Sequence, residues 1–269
     1  MKVGVCIKRV PGSDSRINVT DAVSGPDLSD VSWEVNPYDS FAIEAAIQLQ
    51  EQSIATDVVV FSVSGAEGDA KIRDALAMGK KGQSGASKAV RLDDPAFEGS
   101  DSLGIARILA AAMKKEGVDI VIAGRQSIDG DSSQVPAMMA EILGWPSVCA
   151  VTDLEVSATT VKAWRQAGGG KREVVELPTP CVITADKGLN TPRYPTLPGI
   201  MMAKRKPIEV LDAAALGIDP SSVGSSASHV SIGNWSPPPE RPPGRMIEGD
   251  TAAVVSELIT LLRDEAKVI

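Results

Sequence analysis

The first half of the chain alternates short apolar runs with longer stripes of helical spacing. Lys2 to Ile7 is an apolar run that fits a central parallel strand, and Lys8 to Asp14 is a polar loop at its end. Residues 15 to 35 are irregular, with a turn at Gly25 and Pro26. Asn36 suits a helix cap and Pro37 the first helical position, after which Phe41, Ala45, Ala46 and Leu49 lie on one face. Asp57 to Val63 is a second strand, closed by Ser64 and Gly65. A helix over Glu67 to Met78 follows, with Gly79 as its C-cap. Ala86 to Leu92 reads as a third strand. Residues 101 to 116 form a helix with Leu103, Ala106, Leu109, Ala110 and Met113 aligned. Ile120 to Ala123 is a fourth strand, and Ser132 to Gly144 a fourth helix. Strands alternating with helices imply a parallel sheet with right-handed crossovers.

After Pro146 the period changes to two. Val148 to Val156, Thr160 to Arg165 and Lys171 to Leu177 alternate, and Ala167 to Gly170 supplies a hairpin turn. Pro180 to Ala185 is one more apolar strand, so an antiparallel section extends the sheet or packs on it. Residues 190 to 207 carry four prolines, which favour an extended or looped path. The same stretch holds Leu197, Ile200, Met201 and Met202, more apolar surface than a loop keeps without a cover. Residues 211 to 246 are rich in Pro, Ser and Gly, and the run Pro237 to Gly244 reads as an extended arm needing another surface to rest on. A helix over about Asp250 to Glu265 ends the chain. The expected fold class is α/β, a doubly wound, mostly parallel sheet with an antiparallel extension. It divides into an α/β unit over residues 1–207, including the 190–207 loop, and a C-terminal arm and helix over residues 208–269.

Composition narrows the function. Aromatics are 3% of the 269 residues, so the core is built from aliphatic side chains. A net charge of −8 argues against nucleic acid as a partner, because phosphate binding needs basic surface. No apolar run reaches the length of a membrane span, which argues against direct membrane insertion. Cys6, Cys149 and Cys181 are scattered, which suggests a reducing compartment and no zinc or iron–sulfur site. The chain has 1 histidine, so a histidine-based catalytic unit or metal site is not expected, and catalytic residues are expected to be none.

The loop from Gly124 to Val135 lies between a strand end and a helix start, where open parallel sheets bind ligands. Asp131, Ser132 and Ser133 are good N-cap residues, and a helix N-terminus offers N–H groups to an anion such as a phosphate. An ordinary capped loop would look the same. Tyr38 at the mouth of the first helix fits packing under the loop, or an aromatic set against a planar ligand. Lys204, Arg205 and Lys206 are a basic cluster beside the apolar 190–207 stretch, readable as a solvated strand end or as the rim of a docking loop. No glycine-rich dinucleotide fingerprint follows the first strand, and no phosphate-clamping lysine loop is present. The residues therefore lead to a nucleotide-binding α/β protein with a docking loop and an arm.

The runs Val5 to Val10, Asn36 to Tyr38, Ile72 to Gly79, Gly124 to Asp129, Thr184 to Asp186 and, above all, Asn190 to Tyr194 with Thr196 to Ile200 and Lys204 to Lys206 carry a resemblance. Along almost its whole length the chain resembles the β subunit of electron transfer flavoprotein, whose sheet is Rossmann-like. The resemblance implies a heterodimer with an α subunit that holds most of one FAD, and an AMP buried in this subunit. Its implied cofactor contacts are Cys6, Asn36, Val63, Gln126, Asp129, Asp131, Ser132, Ser133, Gln134 and Val135, with Tyr38 near the partner's flavin. The implied docking residues are Leu197 as anchor, with Ile200, Met201, Lys204, Arg205 and Lys206 around it. Acyl-CoA or related dehydrogenases would donate electrons and a quinone oxidoreductase would accept them, in a bacterial cytoplasm or a mitochondrial matrix. Electron-bifurcating relatives carry a second FAD in place of AMP and oxidise NADH. Asp129, Gly130, Asp131, Gln134 and Val135 match their pattern, whereas Pro136 and Ala137 depart from it. A simple carrier and a bifurcating subunit both stay open, with an adenine-nucleotide sensor as a third reading.

Overall fold

The computed structural model describes residues 1–20, 25–79, 85–237, 239–240 and 243–269. Within the proline-rich arm, positions 238, 241 and 242 lie outside the described residues.

The chain opens with β1 (Lys2–Cys6), then the short strands β2 (Arg9–Pro11), β3 (Asn18–Val19), β4 (Pro26–Asp27) and β5 (Trp33–Val35). The alternating part comprises α1 (Pro37–Glu51), β6 (Asp57–Val63), α2 (Asp69–Ala77), β7 (Lys88–Leu92), α3 (Ser102–Glu116), β8 (Ile120–Gly124) and α4 (Val135–Leu143). Then come β9 (Ser147–Val156), β10 (Thr160–Gln166), β11 (Arg172–Pro178), β12 (Cys181–Ala185), α5 (Leu197–Ala203), β13 (Ile208–Leu211), α6 (Ala213–Leu216) and α7 (Thr251–Thr260).

Among the described residues, 9 strands share one sheet in the order β11-β10-β9-β12-β8-β1-β6-β7-β13. The sheet is doubly wound and mostly parallel. β1 pairs in parallel with both β6 and β8, so the chain leaves β1 towards one edge and later returns to its other side. The strand order reverses between β1 and β8, which is the crevice where such sheets take ligands. The glycine-turned hairpin β10–β11 extends this sheet through β9. The edge strand β13 pairs in parallel with β7 and had no counterpart in the sequence reading.

Alternation along the buried strands splits the core into two layers. Val58 and Val60, Ile120 and Ile122, and Cys181 and Ile183 face the layer that contains α1 and α2. Val59 and Phe61, Val121 and Val182 face the layer with α3, α4 and α6. Two helix boundaries differ from expectation. Gly79 is not the cap of α2, because Met78 turns to an extended conformation and ends the helix first. The fourth helix starts at Val135, three residues later than expected, because Asp131 and Ser133 adopt left-handed φ angles of 49° and 54° that no helix can include. Residues 190 to 207 are also not loop throughout: Pro198 sits in the first turn of α5, where its missing N–H costs nothing.

A candidate nucleotide site at the sheet's switch point

Three segments meet where β1 and β8 end. The first is the turn after β1, with Cys6 and Lys8. The second is the start of α1, with Asn36, Tyr38 and Asp39. The third is the loop Gly124 to Gln134. Asn36 is 1% exposed and joins two of them. Although it stands at the cap position, its side chain makes no cap bond to α1. Instead its Nδ2 donates to the Gln126 carbonyl at 2.8 Å and its Oδ1 accepts the Ile128 N–H at 3.1 Å. Lys8 Nζ reaches across to Asp129, at 2.7 Å from Oδ2. Burial alone would raise the Asp129 carboxyl. The Lys8 hydrogen bond, with Ser127 and the Lys8 charge, holds it below its ordinary value.

The loop is tied internally. Gln126 Nε2 donates to Asp131 Oδ1 at 2.6 Å, while Ser133 Oγ donates to Gln126 Oε1 at 3.2 Å. The expected capping role of Asp131, Ser132 and Ser133 is not what forms. Gln134 occupies the cap position of α4 and no side-chain hydrogen bond closes that end. At α3, by contrast, the Asp101 carboxylate accepts the N–H groups of Leu103 and Gly104. The first turn of α4 therefore presents backbone donors and the positive end of its dipole to the loop. The loop hydroxyls of Ser132 and Ser133, which precede α4, are exposed.

Carboxylates outnumber cations in the site, with Asp129, Asp131 and Asp186 set around Lys8 and Arg125. Arg125 Nη1 pairs with Asp186 at 2.9 Å, and that bond raises the guanidinium above its ordinary value. Both nearby cations thus already face carboxylates, so an anion here would be held by N–H and hydroxyl groups. That donor set suits one phosphate group better than a chain of them.

The remaining expected residues take distinct places. Cys6 ends β1, and burial together with the Asp39 charge pushes its thiol far above the ordinary range, which disfavours the thiolate. Val135 packs partly into the core under α4. Val63 lies one strand further along, on the wall of a cleft of about 330 Å³ with Ser64, Gly65, Asp94, Phe97 and Ser100. Tyr38 is half-buried at the start of α1. Lys8 and Asp39 were not among the expected contacts, nor were Gly124 and Ser127 singled out within the expected loop. Gly124 has a reason to be glycine, since an added Cβ would overlap the Asp39 carboxylate and lie 2.9 Å from Asp39 N. Among the described residues no cluster of three His, Cys, Asp or Glu could hold a metal ion.

The docking residues form a second locality on α5. Leu197 is 72% exposed, Met201 61% and the neighbouring Tyr194 90%. The helix is held from beneath. Gly199 packs on α2, where an added Cβ would stand 2.6 Å from the Ala77 carbonyl, and Arg73 Nη1 donates to the Ala203 carbonyl at 2.6 Å. The segment before it is clamped to α1 by Arg193, which pairs with Glu44 and Glu51 at 2.7 Å each. Lys206 does not belong to an exposed basic rim with Lys204 and Arg205. Its ammonium points inward to the carbonyls of Leu76, Gly85 and Ala86, and burial lowers its pKa to about 8.

A family model described as electron transfer flavoprotein domain matches residues 27–216. The chain is similar to the electron transfer flavoprotein subunit beta of Bacillus subtilis, 35% identical over 269 residues and covering 100% of both chains. It is also 35% identical to the Caffeyl-CoA reductase-Etf complex subunit CarD of Acetobacterium woodii, covering 98% of this chain and 99% of that one. The Sus scrofa electron transfer flavoprotein subunit beta is 35% identical as well, over 98% of this chain and 97% of the relative.

Proposed function

The chain belongs to the electron transfer flavoprotein family, as a relative of its β subunits, and from that premise we propose that it is the small subunit of a heterodimeric electron carrier. It binds one adenine nucleotide at the switch point, completes the setting of the FAD held by an α subunit, and offers α5 to electron-donating dehydrogenases. The observation that carries the nucleotide reading is the Asn36 bridge to Gln126 and Ile128. It brings the resemblance-derived contacts of two distant segments into one crevice, beside a helix end that no side chain caps.

The redox chemistry belongs to the flavin, which accepts and donates electrons when bound. The protein's own residues bind and orient. The Val135 and Ala137 N–H groups in the first turn of α4, with the Ser132 hydroxyl and the second Gln126 Nε2 hydrogen, would hold the phosphate of AMP. Tyr38 at the start of α1 would lie against the partner's flavin, and Leu197 would anchor a dehydrogenase with Ile200, Met201, Lys204 and Arg205 around it. A quinone oxidoreductase would take the electrons onward.

A second reading keeps a specific footing. Gly130 has open space around it, its nearest neighbour to an added Cβ being Ser127 Oγ at 3.9 Å. With the Asp129–Gly130–Asp131 pattern, that space would admit a second FAD and NADH oxidation in place of AMP.

Leu197→Ala tests the docking role. The side chain is mostly exposed, so folding stability should change by less than about 0.5 kcal/mol and bound nucleotide should be unaffected. Flavin reduction by an acyl-CoA dehydrogenase, followed by absorbance, should slow at least about tenfold, the loss of one interface anchor. An unchanged rate would remove α5 as the docking element.

A further inference from the structure

Asp39 carries no motif of its own, yet every segment of the candidate site is fastened to it. It is 6% exposed. Its Oδ2 accepts the Lys8 N–H at 2.7 Å, its Oδ1 accepts Asn36 Nδ2 at 2.9 Å, and the Gly124 N–H faces it closely enough to favour its ionised form. The three donors come from the turn after β1, the residue before α1 and the end of β8. Asn36, held by one of these bonds, passes the constraint to Gln126 and Ile128. Gly124 leaves no slack, because any larger residue would overlap the carboxylate.

We propose that Asp39, in its ionised form, is the positioning residue that sets the shape of the nucleotide loop, an inference that rests on reading that loop as the nucleotide site. A carboxylate only accepts hydrogen bonds, and all three facing groups only donate. Protonation places an O–H among donors, so one bond is lost and Asn36 loses part of its hold on the loop. Burial lifts the Asp39 carboxyl to about 7, while the Asn36, Lys8 and Gly124 donors and the Lys8 charge oppose a larger rise. The charged and titratable groups around it are placed as follows. Cys6 on β1 stays neutral. Lys8 is engaged with Asp129. On α1, Tyr38 adjoins it, and Glu44 is paired with Arg193. From the loop, Arg125 is held by Asp186, and Asp131 by Gln126.

Two consequences have opposite signs. A carboxyl whose pKa rises on folding keeps its proton in the folded chain after the unfolded chain has lost it. Its contribution to stability therefore falls as pH climbs from the ordinary carboxylate range to about 7. Nucleotide affinity goes the other way, because ionisation closes the clasp. A side chain with a merely structural role would lower stability over the same range and add no step to the affinity.

The test uses the purified heterodimer with AMP as probe, its affinity measured by calorimetry from about pH 5.5 to 8.5, with thermal unfolding in parallel. Wild type and Asp39→Asn are compared. The phosphate of AMP has its own second ionisation near pH 6, as phosphate monoesters do, and that step appears in both proteins. Wild type should show a further gain of about tenfold with rising pH while its unfolding temperature does not rise. Asp39→Asn, which turns an amide donor towards N–H groups, should bind AMP at pH 8 about tenfold more weakly, the cost of one charge-assisted bond, and lack the further gain. An Asn variant with wild-type affinity and pH profile overturns the proposal. If that variant fails to fold, wild-type affinity without the further gain overturns it. A wild-type heterodimer without affinity for AMP at any pH overturns the nucleotide reading instead.

Discussion

Gly124 is the tightest position in the site. Gly124→Ala forces its new methyl into the Asp39 carboxylate and against the backbone at the start of α1. The expected cost is about 1–3 kcal/mol, as for an overpacked core, read by urea unfolding, with loss of the loop's nucleotide. A variant of unchanged stability would mean that α1 can retreat from the strand end. Much of the site's chemistry was visible residue by residue: Gln126, Asp129, Asp131 and Ser133 are polar, sit after an apolar strand and do meet Asn36 or Lys8 or one another. Asp39 was not, because an acidic residue in the first turn of a helix is so common that it marks nothing. Only its burial, a property of three segments folded together, distinguishes it. Lys206 erred in the opposite sense: three adjacent cations look alike in a sequence, and only the packing shows one of them turned inward.

Among the elements, α1 links the two localities. Its first turn forms part of the proposed nucleotide site, and its middle and end hold Arg193 through Glu44 and Glu51. Glu44 is buried, and its charge is compensated chiefly by Arg193, whose own pKa these two carboxylates raise. Arg193→Ala leaves Glu44 nearly buried without that cation. The expected loss is about 2–4 kcal/mol, somewhat below the range for a broken buried pair, because Arg193 keeps some solvent. Urea unfolding reads it, and proteolysis between residues 190 and 196 should quicken as the segment lifts. Stability within about 0.5 kcal/mol of wild type, the usual range for surface changes, would contradict the clamp. Strands and helices of the alternating part were legible because burial on both faces leaves near-continuous apolar runs, as in Val58 to Phe61 and Ile120 to Ala123. Elements with little core to face were not. β13 lies at an edge with Glu209 and Val210 exposed, and α5 combines a proline with an exposed apolar face, so neither shows a period.

Over the whole molecule, apolar surface remains where the chain meets no other part of itself. Val255, Leu258 and Ile259 on α7 are exposed, as are Val230, Ile232 and Met246 in the arm. No helix among the described residues is long and apolar enough to cross a membrane. We propose that an α subunit covers the arm and α7, which predicts that the chain expressed alone aggregates or binds a hydrophobic dye while the heterodimer does not. The doubly wound class was readable from the alternation of elements, and the family from short runs around the crevice and α5, because those runs answer to packing and ligand contacts. The occupant of the crevice is not written in that way, since AMP and FAD share the adenosine monophosphate that the loop would grasp. The direct test is therefore to co-express the chain with its α subunit, denature the purified complex and quantify the released nucleotides by chromatography. One FAD and one AMP per heterodimer is the expected result. Two FAD and no AMP would replace the carrier with the bifurcating reading. FAD alone at one per heterodimer would contradict a nucleotide site at the Gly124 loop, and no complex at all would contradict the heterodimer.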